Sequence, residues 1–335
     1  MAPSLVARIA TLRPNAPAPG PDAAAHRRAR ASLAGVVAAS LILFAIQSLT
    51  GRQPDVQAAG TASPAHPAHG VPPTPQLPGG GRTIFPGHRV VAFYGAPLTA
   101  RLGILGEGPP DEMFAQLKEQ AAIYARPGHP VLVAGALIAT IASTTPESNG
   151  LYTFGLGTRV VQRYLDAARR AGAPLILDIR PGRSRFLTQA KPYERFLAQP
   201  DVELALDPEW RVGPTQVPGR QLGSVDAAEV NQVTTWLSGI VTAHHLPQKL
   251  LILHLFRESM ITNRDQISRP SQLAVTFDVD GVGDRRAKGL KYQSLAASTK
   301  GFYLGIKLYY HTDTQILQPV NVLRLRPHPD LVIYQ

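Results

Sequence analysis

The chain of 335 residues carries 34 Lys and Arg against 23 Asp and Glu, a formal net charge of +11 at pH 7, and it has no cysteine. The lack of cysteine excludes disulfides, thiolate metal sites, a cysteine nucleophile and lipoprotein anchoring. After residue 82 no basic run with interleaved aromatic residues occurs, so we expect no nucleic-acid partner. A basic exterior favours an anionic cell envelope instead.

The N-terminal part of the chain has the composition of a membrane-targeting segment. Residues 1–32 contain several arginines and a single acid, Asp22, and the stretch 33–50 that follows is uncharged. Eighteen such residues can just cross a bilayer, and the basic flank predicts an exported, extracellular C-terminal part. We therefore expect a signal anchor, giving a single-pass protein of the cell membrane. A signal peptide cleaved near Ala58, which would give a secreted protein, and a buried soluble helix are the alternatives.

Residues 51–82 are predicted to form a disordered linker. The segment is rich in proline, alanine and glycine and includes the run Gly79–Gly81, a composition that cannot bury a core. The folded domain is therefore expected to span residues 83–335.

From residue 89 onward, short β-branched or leucine-rich runs alternate with longer helical patterns, which is typical of βα units. The predicted strands are Val90–Tyr94, Val131–Gly135, Leu175–Ile179, Val202–Leu206, Leu250–Leu255, Leu273–Phe277, Phe302–Leu308 and Leu331–Tyr334. The predicted helices are Asp111–Tyr124, Gly157–Ala171, Lys191–Ala198, Ser224–His244, Asn263–Ile267, Arg285–Ala297 and Thr314–Leu323. The helix Ser224–His244 is the best defined, because Ser224 can cap its N-terminus.

Eight strands over roughly 245 residues predict an α/β fold, a (β/α)8 TIM-like barrel. No helix follows the eighth predicted strand, so we expect a barrel that lacks the last helix and has another segment covering that flank. An open doubly wound sheet is the alternative. Its phosphate loop is missing, since Gly103, Gly106 and Gly108 are loosely spaced and do not open a helix directly after a strand. We expect no cofactor.

The run Val202–Trp210 reads as a strand that ends in two carboxylates, Asp207 and Glu209. Side chains alternate across a strand, so both acids should point the same way. Pro208 cannot donate a ladder hydrogen bond, and we therefore expect pairing to stop there and leave both acids at a mouth rather than in a core.

Four predicted strands place charged or polar groups on a plausible inward parity at their carboxyl ends, which is the face where barrel active sites are built. The residues are Asp178 and Arg180, Asp207 and Glu209, Asp278 and Asp280, and Lys307 and Tyr309. Burying so many charges is costly unless they pair or act, so the pattern indicates a functional site, with a structural ion-pair network as the alternative.

The run Leu206–Trp210 resembles the end of the fourth-strand motif Asp-Gly-x-Asp-x-Asp-x-Glu of chitinase-like glycoside hydrolases. Val275–Gly281 resembles that family's sixth-strand pattern Met-x-Tyr-Asp, and Val90–Tyr94 resembles its first strand. The resemblance implies that Glu209 is the general acid and Asp207 the neighbouring aspartate.

The chain departs from that family's pattern at three positions. Val202 and Ala205 stand where the family has its first two aspartates, and Phe277 replaces its tyrosine. From His88 onward the chain also resembles exported actinobacterial barrel proteins of unassigned activity, through residues 206–210, 246–251, 279–281 and 307–310. This second resemblance implies an exported barrel and assigns no reaction.

A glycosidase needs one protonated and one ionised carboxyl, and adjacent acids push their pKa values apart. We therefore expect a hydrolase, a glycoside-hydrolase-like barrel that acts on or binds a cell-envelope carbohydrate. Glu209 would be the general acid, and Asp207 would hold and tune it. Asp280 or Asp278 would orient a sugar N-acetyl group or a water. The substrate-binding candidates are Asp178, Arg180, Tyr94, Trp210, His254, Asp278, Lys307 and Tyr309.

Two other functions fit the same residues. One is a metal-dependent phosphodiesterase with Asp178, Asp207, Glu209 and Asp280 around a divalent cation and His254 as acid or base, since hard cations prefer oxygen ligands. The other is a non-catalytic barrel that binds glycan or protein.

Overall fold

The computed structural model of the protein describes residues 74–335. The predicted membrane segment at 33–50 and most of the predicted linker lie outside the described residues. Within residues 74–335, no helix is both long enough and apolar enough to cross a membrane.

Eight parallel strands close into a barrel, in which each strand pairs with the next and the eighth pairs with the first. The strands are β1 Arg89–Gly95, β2 Val131–Ile138, β3 Leu175–Ile179, β4 Val202–Leu206, β5 Lys249–Leu255, β6 Leu273–Val279, β7 Tyr303–Leu308 and β8 Leu331–Tyr334. The closing pair sets Val90 opposite Leu331 and Phe93 opposite Tyr334. The predicted TIM-like barrel is confirmed, and the open doubly wound sheet is wrong.

The strands are buried along nearly their whole length. Every residue of β3, β4, β5 and β6 is buried. Parallel strands covered on one face by the barrel interior and on the other by helices need apolar side chains on both faces. The strands therefore read as continuous apolar runs, which is why the sequence locates all eight.

The helices that surround the barrel are α1 Pro110–Ala122, α2 Thr158–Ala171, α3 Phe186–Ala190, α4 Glu194–Leu197, α5 Ala227–Ala243, α6 Arg285–Ala297 and α7 Pro319–Val322. Helix α6 has the predicted bounds. Helix α5 begins three residues after the predicted Ser224, and its N-cap is Asp226, whose carboxylate accepts from the backbone N–H of Ala228 at 2.9 Å. Ser224 cannot act as the cap because a two-residue strand, Val225–Asp226, precedes the helix and pairs with Ile261–Thr262.

Three predicted helices differ from the structure. The segment Asn263–Ile267 forms only the 3-10 turn Arg264–Gln266. Thr314–Leu323 shortens to α7, because Pro319 holds Gln318 in an extended conformation and so marks the helix start. Lys191–Ala198 divides into a 3-10 turn and α4, and α3 before it was not predicted.

The flank of β8 is covered by α1 and the residues after it. The Tyr334 hydroxyl lies 2.6 Å from the Tyr124 hydroxyl and accepts from Gln120 Nε2 of α1 at 3.0 Å. The Tyr334 ring also stacks on Tyr310 with 5.1 Å between ring centroids. Helix α1 and Tyr124 thus pack against this flank of β8.

The end of the barrel at which the strands begin is closed by the segment just before β1. Ile84 and Phe85 are buried, and the backbone N–H of Ile84 donates to the Gln248 side chain at 2.9 Å. The Phe85 ring packs on Tyr303 at the start of β7, with 4.9 Å between centroids. The other end, where the strands stop, is called the mouth, and the side chains of Asp178, Asp278 and Lys307 are buried there.

Candidate active site

Strand register brings charged residues of neighbouring strands to the mouth. Asp278 of β6 lies opposite His254 of β5 on one side and Gly305 of β7 on the other. Neighbours in register on parallel strands direct their side chains to the same face. Gly305 carries no side chain, and a Cβ there would lie 3.0 Å from Asp278 Oδ1, so the glycine leaves the space that this carboxylate occupies.

His254 bridges two buried aspartates. Its Nδ1 lies 2.9 Å from Asp278 Oδ2, and its Nε2 lies 3.7 Å from Asp178 Oδ2. Burial and the charge of Lys307 favour the neutral ring, but the hydrogen bond to Asp278 and the two aspartate charges outweigh them and raise the pKa of His254. A histidine inside an apolar run thus belongs to an ionic network.

Tyr94 connects two of the predicted site residues. Its hydroxyl donates to Asp178 Oδ2 and accepts from Arg180 Nη2 at 2.7 Å. The Lys307 ammonium lies 3.6 Å from the centroid of the Tyr94 ring. Because the ring is fully buried and its face is occupied by an ammonium, Tyr94 holds charged groups in place in this structure.

Arg180 and Asp207 form a buried ion pair, with 3.2 Å between Nε and Oδ2. The guanidinium also lies 5.0 Å from the centroid of Trp210. The backbone N–H of Arg180 donates to the Thr140 hydroxyl at 2.6 Å, and its carbonyl accepts from the Thr153 hydroxyl at 2.7 Å. The backbone of Arg180 is therefore held by a small two-stranded antiparallel sheet, which is formed by Thr140–Ala142 and Thr153–Gly155.

Asp280, the residue after β6, is held by three donors. Oδ2 lies 3.3 Å from Lys307 Nζ, while Oδ1 accepts from the Tyr309 hydroxyl and from the backbone N–H of Gly281 at 2.6 Å. Burial disfavours the charged form, but Lys307 and His254, together with these hydrogen bonds, hold the pKa of Asp280 well below its usual range. Asp280 is therefore the ionised carboxylate of the site.

Glu209 differs from the acids around it. The chain leaves β4 at Leu206, and Pro208–Trp210 forms a 3-10 turn, so strand alternation does not extend to Glu209. Pro208 ends the pairing as expected. However, Asp207 is buried at 2% exposure, so the expectation that both acids stand at the mouth is wrong for Asp207, which Arg180 draws inward. Glu209 keeps partial exposure.

Among residues 74–335 the Glu209 carboxyl makes no hydrogen bond and no ion pair. Burial of the group and the charges of Asp207 and Asp280 outweigh Arg180 and Lys307 and raise the pKa of Glu209 to about 8. At neutral pH the carboxyl is therefore protonated, and its O–H is not hydrogen-bonded to any described residue. A protonated carboxyl beside an ionised one is the arrangement that general acid catalysis uses.

Several buried polar atoms at the centre of the network have no hydrogen-bond partner in the described part of the chain. They are Oδ1 of Asp178, Asp207 and Asp278, and Nε2 of His254. Buried polar atoms are normally satisfied, and these four are closed off from solvent, so the network keeps unfilled hydrogen-bonding capacity at its centre.

His254, Asp278 and Asp280 can each offer an atom such that all three lie within 4.8 Å of one another, a spacing that could hold a metal ion. However, both oxygens of Asp280 already accept hydrogen bonds or an ion pair, and His254 Nδ1 is bonded to Asp278. A cation would also lie beside the Lys307 ammonium. The donor set therefore fits an internal ionic network better than a metal centre.

Two site residues were not found from the sequence. Lys288 of α6 and Asp313 form a buried ion pair at 3.0 Å, and Asp313 Oδ2 also accepts from the backbone N–H of Tyr309 at 2.9 Å. Lys288 Nζ donates to the Lys307 carbonyl at 2.5 Å. The pair thus supports the end of β7. One residue lies in a helix and the other in a loop, so strand-end parity could not reveal them.

No protein-family model matches the chain, and no curated protein sequence matches it either. Solved structures that resemble it include a hyperthermophilic endo-β-1,4-glucanase in complex with substrate, with 10% identity, TM-score 0.38 and coverage of 72% of this chain and 88% of that one. Another is a truncated 3-deoxy-D-arabino-heptulosonate 7-phosphate synthase from Thermotoga maritima, with 10% identity, TM-score 0.35 and coverage of 74% of each chain.

A third is a 5-methylcytosine deaminase from Klebsiella pneumoniae liganded with 5-fluorocytosine, with 9% identity, TM-score 0.32 and coverage of 68% of this chain and 53% of that one. At TM-scores this low, we draw no functional conclusion from these three structures.

Proposed function

We propose that the barrel is a glycoside hydrolase in which Glu209 is the general acid. The proposal rests on the state of the Glu209 carboxyl. It is partly exposed at the mouth and unpaired among the described residues, while the neighbouring Asp207 and Asp280 are each in an ion pair. Its pKa of about 8 keeps it protonated at neutral pH.

The reaction needs only groups at this mouth. Glu209 donates its proton to the glycosidic oxygen as the bond from that oxygen to the anomeric carbon breaks. The carboxylate that remains then takes a proton from the water that adds to the anomeric carbon, so the acid is regenerated and one water is consumed. One residue can serve as acid and then as base because the two steps need opposite protonation states.

Asp280 and Asp207 act on either side of Glu209. Asp280, kept ionised by Lys307 and Tyr309, orients the N-acetyl group of an amino sugar or the attacking water and stabilises positive charge at the anomeric carbon. Asp207 raises the pKa of Glu209 by its charge. Lys307 keeps Asp280 anionic, and its ammonium in turn rests on the Tyr94 ring.

The substrate we propose is a polysaccharide of the cell envelope. The support is the sequence of residues 1–50, which predicts that the rest of the chain is exported or anchored at the membrane, together with the excess of basic residues. The same features support a protein held at the cell membrane, or secreted if the N-terminal segment is removed.

Turnover of peptidoglycan and chito-oligosaccharides by the full-length, detergent-solubilised protein tests the proposal. We expect Glu209→Gln to lose at least about a hundredfold in kcat/KM, the usual scale of general acid catalysis. Glu119→Gln is the matched control, because Glu119 is exposed on α1 and makes no hydrogen bond in the described structure. Equal turnover by Glu209→Gln and the wild type would contradict the proposal, as would binding of these polymers without turnover.

A metal-dependent phosphodiesterase is the second candidate that the assays test, since His254, Asp278 and Asp280 lie within ligand spacing although their existing contacts fit an ionic network better. Each assay is therefore repeated with EDTA and with a phosphodiester substrate. Loss of turnover on chelation, combined with hydrolysis of the phosphodiester, would favour that function over the glycosidase.

A further inference from the structure

An arginine-lined groove runs along the outer face of α2. It has a volume of about 480 Å³ and is lined by four arginines, Arg159, Arg163, Arg170 and Arg195, against a single acid, Asp166. Three of the arginines and Asp166 lie at positions 159, 163, 166 and 170, the spacing of one helical stripe. Arg195 of α4 lies across the groove from that stripe.

Most of these arginines have no carboxylate partner in the described part of the chain. Arg163 and Arg195 make only contacts to the rings of their sequence neighbours, at 5.7 Å and 4.7 Å from the ring centroids. Among residues 74–335, Arg159 makes neither a side-chain hydrogen bond nor an ion pair. By contrast, Arg170 is paired with both oxygens of Asp111, at 2.9 Å and 3.0 Å.

The one acid in the groove does not neutralise the free arginines. Asp166 Oδ1 accepts from Gln162 Nε2 at 2.8 Å and makes no ion pair. The next residue outside the groove, Arg169, is paired with Asp201 at 2.6 Å. The groove therefore holds three guanidinium groups without a carboxylate partner in the described part of the chain, and its one acid is bonded to an amide.

The groove begins at the mouth end of the barrel. Helix α2 connects the carboxyl end of β2 to the start of β3, so its first residues lie at the rim of the mouth and its last at the opposite end. The arginine stripe consequently extends from the rim along the outside of the barrel. A polymer chain that leaves the mouth over this rim would pass along the stripe.

The chemistry of the groove selects an anionic chain. A guanidinium presents a planar fork of donors that matches carboxylate, sulfate and phosphate groups. All four arginines are exposed, and they follow one line along α2 with Arg195 beside it, so an extended chain can lie along them with its acidic groups against the guanidiniums.

We propose that the arginine groove binds an anionic polysaccharide and holds the chain on which the mouth acts. The inference rests on the proposed glycosidase function for the identity of the polymer, and it adds that the polymer carries carboxylate, sulfate or phosphate groups. Arg159, Arg163 and Arg195 contact the acidic groups of the polymer. Arg170 also lines the groove, but Asp111 holds it in an ion pair.

Binding of fluorescent dextran sulfate to the full-length protein, compared with neutral dextran of equal length, tests the inference. We expect the wild type to bind only the sulfated chain, more weakly as salt rises. The variant Arg159→Gln/Arg163→Gln/Arg195→Gln should raise the dissociation constant at least about tenfold, because three charge-assisted contacts are lost. The control Arg101→Gln/Arg220→Gln/Arg324→Gln removes the same charge from exposed arginines outside the groove and should change it less than about twofold.

Glu209→Gln should keep full affinity for dextran sulfate, which separates the groove from the proposed catalysis. Equal loss of affinity in both triple variants would show a general charge effect and overturn the inference. Tighter binding of duplex DNA or of anionic phospholipid vesicles than of dextran sulfate would also overturn it, since the groove would then serve a different partner. If Glu209→Gln retains turnover while the groove variant loses affinity, only the proposed acid is wrong.

Discussion

Arg180 and Asp207 lie on consecutive strand ends of the barrel, and their side chains meet at 3.2 Å with exposures of 6% and 3%. Burial raises the pKa of Asp207 despite Arg180. The pair therefore depends on the arginine to keep a buried carboxylate charged at the centre of the mouth.

We expect Arg180→Met to lower the free energy of unfolding by about 3–5 kcal/mol, because it leaves Asp207 without its cation. Without Arg180 the pKa of Asp207 in the folded state rises further, so its protonated form is favoured and the deficit grows with pH. Urea denaturation at pH 5 and pH 8 measures both effects. The double variant Arg180→Met/Asp207→Leu should recover part of the loss, and a double variant no more stable than the single one would contradict the ion-pair argument.

The pH dependence of turnover should follow Glu209. The acid acts only while protonated, and its pKa is about 8, so kcat/KM should fall as pH rises above about 8. The low pKa of Asp280 places the acid limb well below neutrality. A full pH profile on a soluble chito-oligosaccharide measures both limbs. An alkaline limb that persists unchanged in a residually active Glu209→Gln variant would assign it to another group.

Asp280→Asn should destabilise the protein by about 3–5 kcal/mol at neutral pH, because Lys307 loses its buried partner. The pKa of Asp280 is depressed in the folded state, so its contribution is present above the unfolded pKa of about 4 and is lost as pH falls through the folded value. Unfolding of wild type and variant, followed from pH 7 to pH 3, should therefore show a gap that narrows only in acid. A gap independent of pH would mean that Asp280 contributes by packing alone.

The closed end of the barrel offers a test of stability without catalysis. Lys249 Nζ donates to the carbonyls of Gln199 and Val202 at 2.7 Å and 2.6 Å, and Glu203 accepts from the backbone N–H of Leu250 at 2.6 Å. Burial raises the pKa of Glu203 to about 7, and Lys249 opposes this rise.

Lys249→Met should lower the free energy of unfolding by about 3–5 kcal/mol. It leaves two buried carbonyls without their donor and the buried Glu203 without its neighbouring cation. Turnover by the folded protein should be unchanged, since the substitution leaves the residues of the mouth in place. The exposed Lys300→Met serves as its control. Thermal unfolding measures the loss of stability, and kcat of the folded fraction measures turnover. A fall in kcat with little loss of stability would reveal coupling between the two ends.

The number and order of the strands could be predicted because each strand is buried on both faces and is therefore an apolar run, but β2 and β6 continue beyond their predicted ends, to Ile138 and Val279. The helix Thr314–Leu323 could not, since a proline and the packing of a long loop decide how much of it is helical. At the mouth, strand-end parity indicated Asp207, Glu209 and Asp280, although Glu209 lies in the 3-10 turn after β4, where that parity no longer holds. It could not show which of them is unpaired, because that depends on Arg180 and Lys307 reaching across from other strands.

The pairing of Phe93 with Tyr334 joins the first strand to the eighth across almost the whole barrel domain. During synthesis, β1 can therefore pair with β8 only after nearly all of the domain has left the ribosome. Until then, the edge of β1 that will face β8 is unpaired and open to other strands. This late closure suits the export that we propose, because a chain whose barrel has not yet closed can still cross a membrane in an unfolded state. Substitutions at the seam, such as Tyr334→Ala, should then affect yield before they affect the chemistry at the mouth.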